Sequence, residues 1–218
     1  MDKFKSLKEI PFPLESSTLT IGTFDGIHLG HSYLLKKVKE QSLKSANKSV
    51  IITFNPNPYI VLNKKNENEY HIITKEEKYK QVEHYNIDYM LDLAFDKNLS
   101  KISALEFLKN YIITPFNPKN IIIGFNHHFG YNREGNGDFL RDHQNVYNYN
   151  LEILQPFSKD NSIISSSIIR ELINFGKISD ANKFFGRNYK VRGRVVKGDS
   201  VGREISFPTA NISLNSIK

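Results

Sequence analysis

Two histidines three positions apart, His28 and His31, follow a short β-branched and apolar run at 19–21 and lie among Gly22, Gly26 and Gly30. If the chain enters a helix there, the His-x-x-His spacing sets the two rings about one turn apart, so both reach one ligand. A helix start also offers unpaired N–H groups and about half a positive charge, which favours a bound phosphate before any side chain acts. Lacking a Cβ, Gly22 and Gly30 permit tight turning and close approach, which makes this turn a phosphate cradle. A second constellation lies near the other end, where Ser165 is placed to cap a helix. Arg170, about one turn further on, could aim a planar five-donor fork at phosphates held at that helix start. The adjacent His127 and His128 are a poor metal pair, since neighbouring side chains of extended backbone point to opposite sides.

These residues need a frame, and the hydrophobic pattern supplies one. Apolar, β-branched runs at 19–21, 49–54, 87–93, 120–124 and 151–154 read as strands. Helical stretches alternate with them. One follows His31, a second opens at the capping box Thr74-x-x-Glu77, and a third opens at Ser103-x-x-Glu106 and is expected to end before Pro115. Further helices are expected over 138–147, from Ser165 to about Phe175, and from Ser179 to Gly186. The prolines of Ile10-Pro-Phe-Pro-Leu14 suit an edge or approach segment, and those of Asn55-Pro-Asn-Pro58 a rigid loop. Alternating strands and helices predict an α/β protein, a doubly wound parallel sheet covered on both faces. Ligands of such sheets bind beyond the carboxyl ends of the strands, where the loops at 22–31, 56–58, 126–130 and 165–170 all fall.

Composition narrows the classes. With 39% hydrophobic and 24% charged residues the chain reads as soluble and globular, and no apolar run approaches the roughly 18 residues of a membrane span. Its basic start lacks the apolar stretch of a secretory signal, so a cytoplasmic location is expected. The absence of cysteine excludes disulfides, thiolate metal sites and a cysteine nucleophile. A net charge of +7 fits anionic small molecules as well as nucleic acid, and the basic residues are dispersed without a dense block. Nucleic acid is not expected as a partner.

Gly22-Thr-Phe-Asp-Gly-Ile-His-Leu-Gly-His31 resembles the G-x-F-D-G-x-H-x-G-H signature of nucleotidyltransferases, in particular the adenylyltransferase half of bacterial riboflavin kinase/FMN adenylyltransferases. Residues 53–58, TFNPNP, resemble that family's T-F-x-P-H-P loop, with Asn57 in place of the usual histidine. GFNHHFG at 124–130 is similar to its flavin-proximal loop, where Asn126, Phe129 and Gly130 keep register and His127 replaces an aromatic residue. Ile164-Ser-Ser-Ser-Ile-Ile-Arg170 is similar to I-S-S-T-x-I-R, with Ser167 in place of threonine. The resemblance implies a Rossmann-like nucleotidyltransferase fold. It further implies His28, His31 and Arg170 as catalytic residues, and Gly22, Phe24, Asp25, Gly30, Ser165, Ser166 and Ser167 as nucleotide-binding. Phe54, Pro56, Asn57, Asn126 and Phe129 would be flavin-binding.

Toward the end, Gly198-Asp-Ser-Val-Gly-Arg203 and Phe207-Pro-Thr-Ala-Asn-Ile212 resemble the opening of a riboflavin kinase domain. There Thr209 and Asn211 would sit at an ATP–magnesium site, with Gly198 and Asp199 in the preceding motif. Two parts are therefore expected: residues 1–187 as the adenylyltransferase, and 188–218 as an incomplete β segment of the kinase barrel. The second part is shorter than the roughly 40 residues an unaided domain needs, so a truncated or split gene or a cut protein is expected. Riboflavin kinase activity is expected to be absent, and self-association or a separate chain could complete that domain. The implied reaction transfers AMP from ATP, accompanied by magnesium, to FMN, giving FAD and pyrophosphate. Nucleotidyl transfer to another phosphorylated acceptor, an aminoacyl-tRNA synthetase fragment, and a non-catalytic nucleic-acid or regulatory binding protein remain as alternatives.

Overall fold

The computed structural model describes residues 1–10, 13–66, 70–159, 162–197, 202, 206–213. Six strands form one parallel sheet in the order β1-β4-β3-β2-β5-β6: β1 (Asp2–Phe4), β2 (Ser17–Ile21), β3 (Lys48–Phe54), β4 (Tyr89–Leu93), β5 (Pro118–Gly124) and β6 (Asn150–Leu154). Every residue of β2 is buried, which its central place explains, since β3 flanks it on one side and β5 on the other. Ile51 and Ile122 face one layer, whereas Val50, Ile52, Ile121 and Ile123 face the other. That period of two divides the core between the two faces of the sheet.

The first layer receives Leu34, Leu35 and Val38 of α1 (Leu29–Lys44). It also receives Val82, Ile169 and Phe185, which come from the helices Lys75–Glu83, Ser166–Asn174 and Ile178–Phe185 in turn. Between α1 and these, Pro58–Asn63 makes a short α2; the three later helices are α3 (Lys75–Glu83), α6 (Ser166–Asn174) and α7 (Ile178–Phe185). On the opposite layer lie α4 (Ala104–Phe107) and α5 (Gly137–Tyr147), through Phe107 and Leu140. The doubly wound parallel sheet expected from the pattern is thus present. A small antiparallel pair, Val195–Val196 with Asn211–Ile212, stands apart near the C-terminus.

Three local expectations change. The helix opened by Ser103 does not end before Pro115: it runs on through a π-helical stretch, Leu108–Ile113, into Thr114–Phe116. The wider turn precedes the proline and relieves the i−4 carbonyl clash that would stop an α-helix. The loop at 55–58 likewise becomes a helix entry, with Asn57 Oδ1 accepting from Tyr59 N at 2.9 Å and Pro58 in the first turn. Beyond these, β1 is an edge strand not anticipated from the sequence; only three residues long, it is defined by its pairing with Tyr89–Leu91 of β4.

Candidate functional site

From the central β2 the chain moves outward to β3 and β4, then crosses back to β5 on the other side. The carboxyl ends of β2 and β5 therefore flank a topological switch point. The turn that leaves β2 there has left-handed backbone at Phe24 (φ 49°), Gly26 (φ 82°) and Ile27 (φ 41°). These residues, rather than Gly22 or Gly30, make the sharp turning. Gly30 has a different reason: a Cβ there would lie 3.2 Å from the His28 ring. At Gly22 a Cβ would meet the Phe24 ring at 3.2 Å.

His28 is the N-cap of α1, and its Nδ1 accepts from His31 N at 3.3 Å. With Nδ1 an acceptor, the neutral ring carries its proton on Nε2, which becomes a donor. The His28 and His31 rings stack with centroids 3.8 Å apart and 16° between planes. Burial, then the positive charge of Arg187, lowers the His28 pKa to about 4. Burial, and next the neighbouring His28, holds His31 well below the ordinary histidine range. The pair is thus neutral at physiological pH, so what it can offer an anion is N–H dipoles and the helix start rather than imidazolium charge.

Phe24 and Asp25 are buried and serve the turn itself. The Phe24 ring lies 5.2 Å from that of His31, as a wedge behind it. Asp25 Oδ1 accepts from Ile72 N at 3.0 Å and Oδ2 accepts from Arg170 Nη2 at 2.8 Å. Ser165 caps α6 by accepting from Ile168 N, and Ser166 Oγ donates to the Asp25 carbonyl at 2.8 Å. Ser167 is exposed. The starts of α1 and α6 are in this way tied to one turn. Arg170 takes part in the tie: Nε donates to Tyr70 O at 2.9 Å and the guanidinium lies 4.0 Å from the Tyr70 ring centre. Two of its nitrogens are thereby taken up by protein.

Of the residues expected to bind flavin, two meet around Phe107. Phe54 at the end of β3 and Phe129 in the loop after β5 pack against its ring at 6.2 and 5.7 Å. Pro56 follows a cis peptide bond, Asn57 is a buried cap, and Asn126 is exposed. His127 stacks on Phe129 at 5.7 Å, as an aromatic substitute would, and burial lowers its pKa to about 4. His128 is exposed, with Nδ1 3.3 Å from the Arg133 carbonyl. Among the described residues, no group of three or more His, Asp or Glu side chains is placed to hold a metal ion. Thr209 and Asn211 are exposed, Asn211 within the small antiparallel pair and Thr209 two residues before it, while Gly198 and Asp199 lie outside the described residues.

One contributor carried no local signal. Arg187, just past the end of α7, donates from Nη1 to Ile27 O and from Nη2 to Gly26 O, each at 2.6 Å. Gly186 before it has φ 70°, and a Cβ there would come within 2.5 Å of Leu29 Cδ2, so this corner abuts the start of α1. Tyr189 reaches across to Ile72 O at 3.2 Å.

A family profile described as FAD synthetase matches residues 12–168, and one described as riboflavin kinase matches 185–218. The chain is 39% identical over 200 residues to a bifunctional riboflavin kinase/FMN adenylyltransferase of Buchnera aphidicola subsp. Schizaphis graminum, covering 91% of this chain and 64% of that protein. Against the protein of the same description from Escherichia coli K12 it is 30% identical, over 93% of this chain and 64% of the relative. The chain thus spans just under two thirds of the length of these relatives. A crystal structure described as a macrolide-efflux protein from Streptococcus pneumoniae superposes with a TM-score of 0.84 at 30% identity, covering 97% of this chain and 68% of that one. No helix among the described residues is long and apolar enough to cross a membrane. With the profile match running from before β2 to the first turn of α6 and containing the His28–His31 turn, the chain belongs to the FAD synthetase family.

Proposed function

We propose that this chain transfers AMP from ATP to FMN, giving FAD and pyrophosphate. The observation that carries the reading is the stacked, neutral His28 and His31 at the start of α1, facing the switch point with an N–H on His28 Nε2. An oxygen of the FMN phosphate attacks the α-phosphorus of ATP. The bond from that phosphorus to the bridging oxygen breaks, and pyrophosphate leaves with the electron pair. Charge gathers on the equatorial oxygens and the leaving group, where fixed N–H donors in a partly dry site act most strongly. His28, His31 and the first N–H groups of α1 supply them.

Arg170, anchored on Asp25 and Tyr70, carries positive charge at the start of α6 and is assigned to the β- or γ-phosphate. Gly22, Gly30, Ser165, Ser166 and Ser167 shape the nucleotide side, with Phe24 and Asp25 supporting the turn from beneath. Phe54, Pro56, Asn57, Asn126 and Phe129 border the flavin side around Phe107. Magnesium would enter with ATP as part of the substrate, where it would neutralise phosphate charge without calling on a protein carboxylate cluster. The adenylyltransferase unit is read as residues 1–187, closing on the arginine that grips the turn. Incubation with FMN, ATP and magnesium tests the reading. FAD and pyrophosphate in equal amounts are expected, and the appearance of neither overturns it.

A further inference from the structure

Beside the histidine turn, at the carboxyl ends of β3 and β4, two lysines share a single carboxylate. Thr53 of β3 and Asp92 of β4 are partners in the parallel register, and both are buried. Asp92 Oδ2 accepts from Tyr79 OH at 2.5 Å and lies 3.0 Å from Lys75 Nζ. Lys78 Nζ is 3.9 Å from Asp92 Oδ1, beyond hydrogen-bonding reach, and donates instead to Thr53 Oγ1 at 3.3 Å. Asp92 Oδ1 is itself buried without a hydrogen bond among the described residues. Lys78 is only 7% exposed, so a cation with three donors sits almost out of water with one side-chain hydrogen bond among the described residues.

A cleft of about 50 Å³ opens against this cluster, and its walls include Lys75, Lys78, Thr23, Thr74, Asn55 and Asp25. Thr23 and Asp25 belong to the turn that carries His28, so the cleft adjoins the place assigned to the ATP phosphates. Its charge balance is positive. Asp25 is matched by Arg170 and Asp92 by Lys75, which leaves Lys78 as the surplus cation. Burial lowers the Lys78 pKa, while Asp92 and Asp25 act in the opposite sense. A buried ammonium with spare donors, facing a small cleft in an excess of positive charge, is completed by a compact anion.

We propose that this cleft is a subsite for the phosphate monoester of the acceptor, with Lys78 as its charged floor and Lys75 as a second contact. The proposal rests on the functional reading above. It adds a reason for the chain to accept a phosphorylated flavin and refuse its unphosphorylated parent. The cleft's place at the ends of β3 and β4, beside Asn55, puts it on the acceptor side of the histidine turn.

The test compares binding of FMN, of riboflavin, and of ATP with magnesium to the wild-type chain, Lys78→Met, Lys78→Arg and Lys75→Met, with thermal melting as the control for folding. Lys78→Met is expected to weaken FMN binding tenfold or more and to leave riboflavin and ATP binding within twofold. Lys78→Arg should recover most of the loss. Should Lys78→Met fail to fold, Lys75→Met, whose side chain is half-buried at the rim, carries the test with an expected loss of about threefold for FMN alone. A folded Lys78→Met with unchanged FMN affinity overturns the subsite, while FAD formation by the wild type leaves the functional reading standing. Weakened ATP binding in place of FMN would assign the cleft to the nucleotide and equally overturn it. A wild-type chain that converts no FMN sinks both.

Discussion

Replacing Arg187 with methionine removes the guanidinium and keeps most of the apolar stem that covers Phe185, where the guanidinium carbon lies 4.8 Å from the ring centre. Two charge-assisted bonds to the Gly26 and Ile27 carbonyls, each at 2.6 Å, are lost together. Bonds of this kind contribute about 1.5–3 kcal/mol each. Arg187 is half-buried, so water can take over part of the work, and about 3 kcal/mol is a reasonable net figure for the pair. The turn has reason to use that freedom, because Phe24 and Ile27 are held left-handed at a cost of roughly 1–2 kcal/mol each. At about 1.4 kcal/mol per decade, kcat/KM for FAD formation should fall about 10²-fold, mostly through kcat. Arg187→Lys, able to reach one carbonyl at a time, should recover part of this. A readout beyond rate separates positioning from bulk stability: Arg187 lowers the His28 pKa, so its removal should move the acid limb of the pH–rate profile to higher pH. A folded Arg187→Met within threefold of wild type, with an unmoved acid limb, would refute the reasoning. Arg187 lies in the stretch matched by the riboflavin kinase profile, outside residues 12–168, so the histidine turn depends on chain beyond the family match that contains it.

Alanine at His28 or His31 should lower kcat by about 10²-fold with little change in FMN affinity, whereas His128→Ala should cost less than twofold; steady-state kinetics decide. A second expectation concerns acid stability. The folded His28 pKa is about 4 against an ordinary 6.5, so the unfolded chain binds the extra proton first; the neutral ring's stabilisation is complete above about 6.5, declines as pH falls toward 4, and is flat below. Denaturant titrations of wild type and His28→Asn across that window should show a shallower decline in the variant, and identical slopes would contradict it. Gly130→Ala should destabilise by about 3 kcal/mol or more, since φ is 74° and the new Cβ would lie 2.6 Å from Ala104 N. Gly176→Ala, at φ 70° but with open space around it, should cost only about 1 kcal/mol by the same melting assay.

The alternation of strands and helices was legible because each depends on local period and local caps. Thr74 and Ser103 accept from Glu77 N and Glu106 N, both at 3.1 Å, as their spacing predicts. His28 and His31 were legible for the same reason, lying three residues apart on one helix entry. Features fixed by distant partners were not. Nothing in Asp-Lys-Phe announces a strand until β4 offers its edge, and Pro115 reads as a stop until the π-helical turn before it is seen. Arg170 was placed on the correct helix, but its neighbours Asp25 and Tyr70 come from elsewhere in the chain. Lys78 reads as one more cation on an amphipathic helix, and only the burial of α3 against β3 and β4 turns it inward.

Phe107 offers a single lever over the aromatic cluster that the proposed function assigns to the flavin side. It touches Phe54 from β3 and Phe129 from the loop after β5, and it stacks on Tyr111 at 5.0 Å inside the π-helical turn. Two residues of the proposed flavin side therefore rest on one ring, whose own backing is a widened turn with more slack than a regular helix. Trimming it to leucine would let both residues relax inward or outward together, which separate changes at Phe54 and Phe129 would not. In directed evolution toward bulkier flavin analogues, position 107 is the one to randomise first, with Tyr111 as its compensating partner.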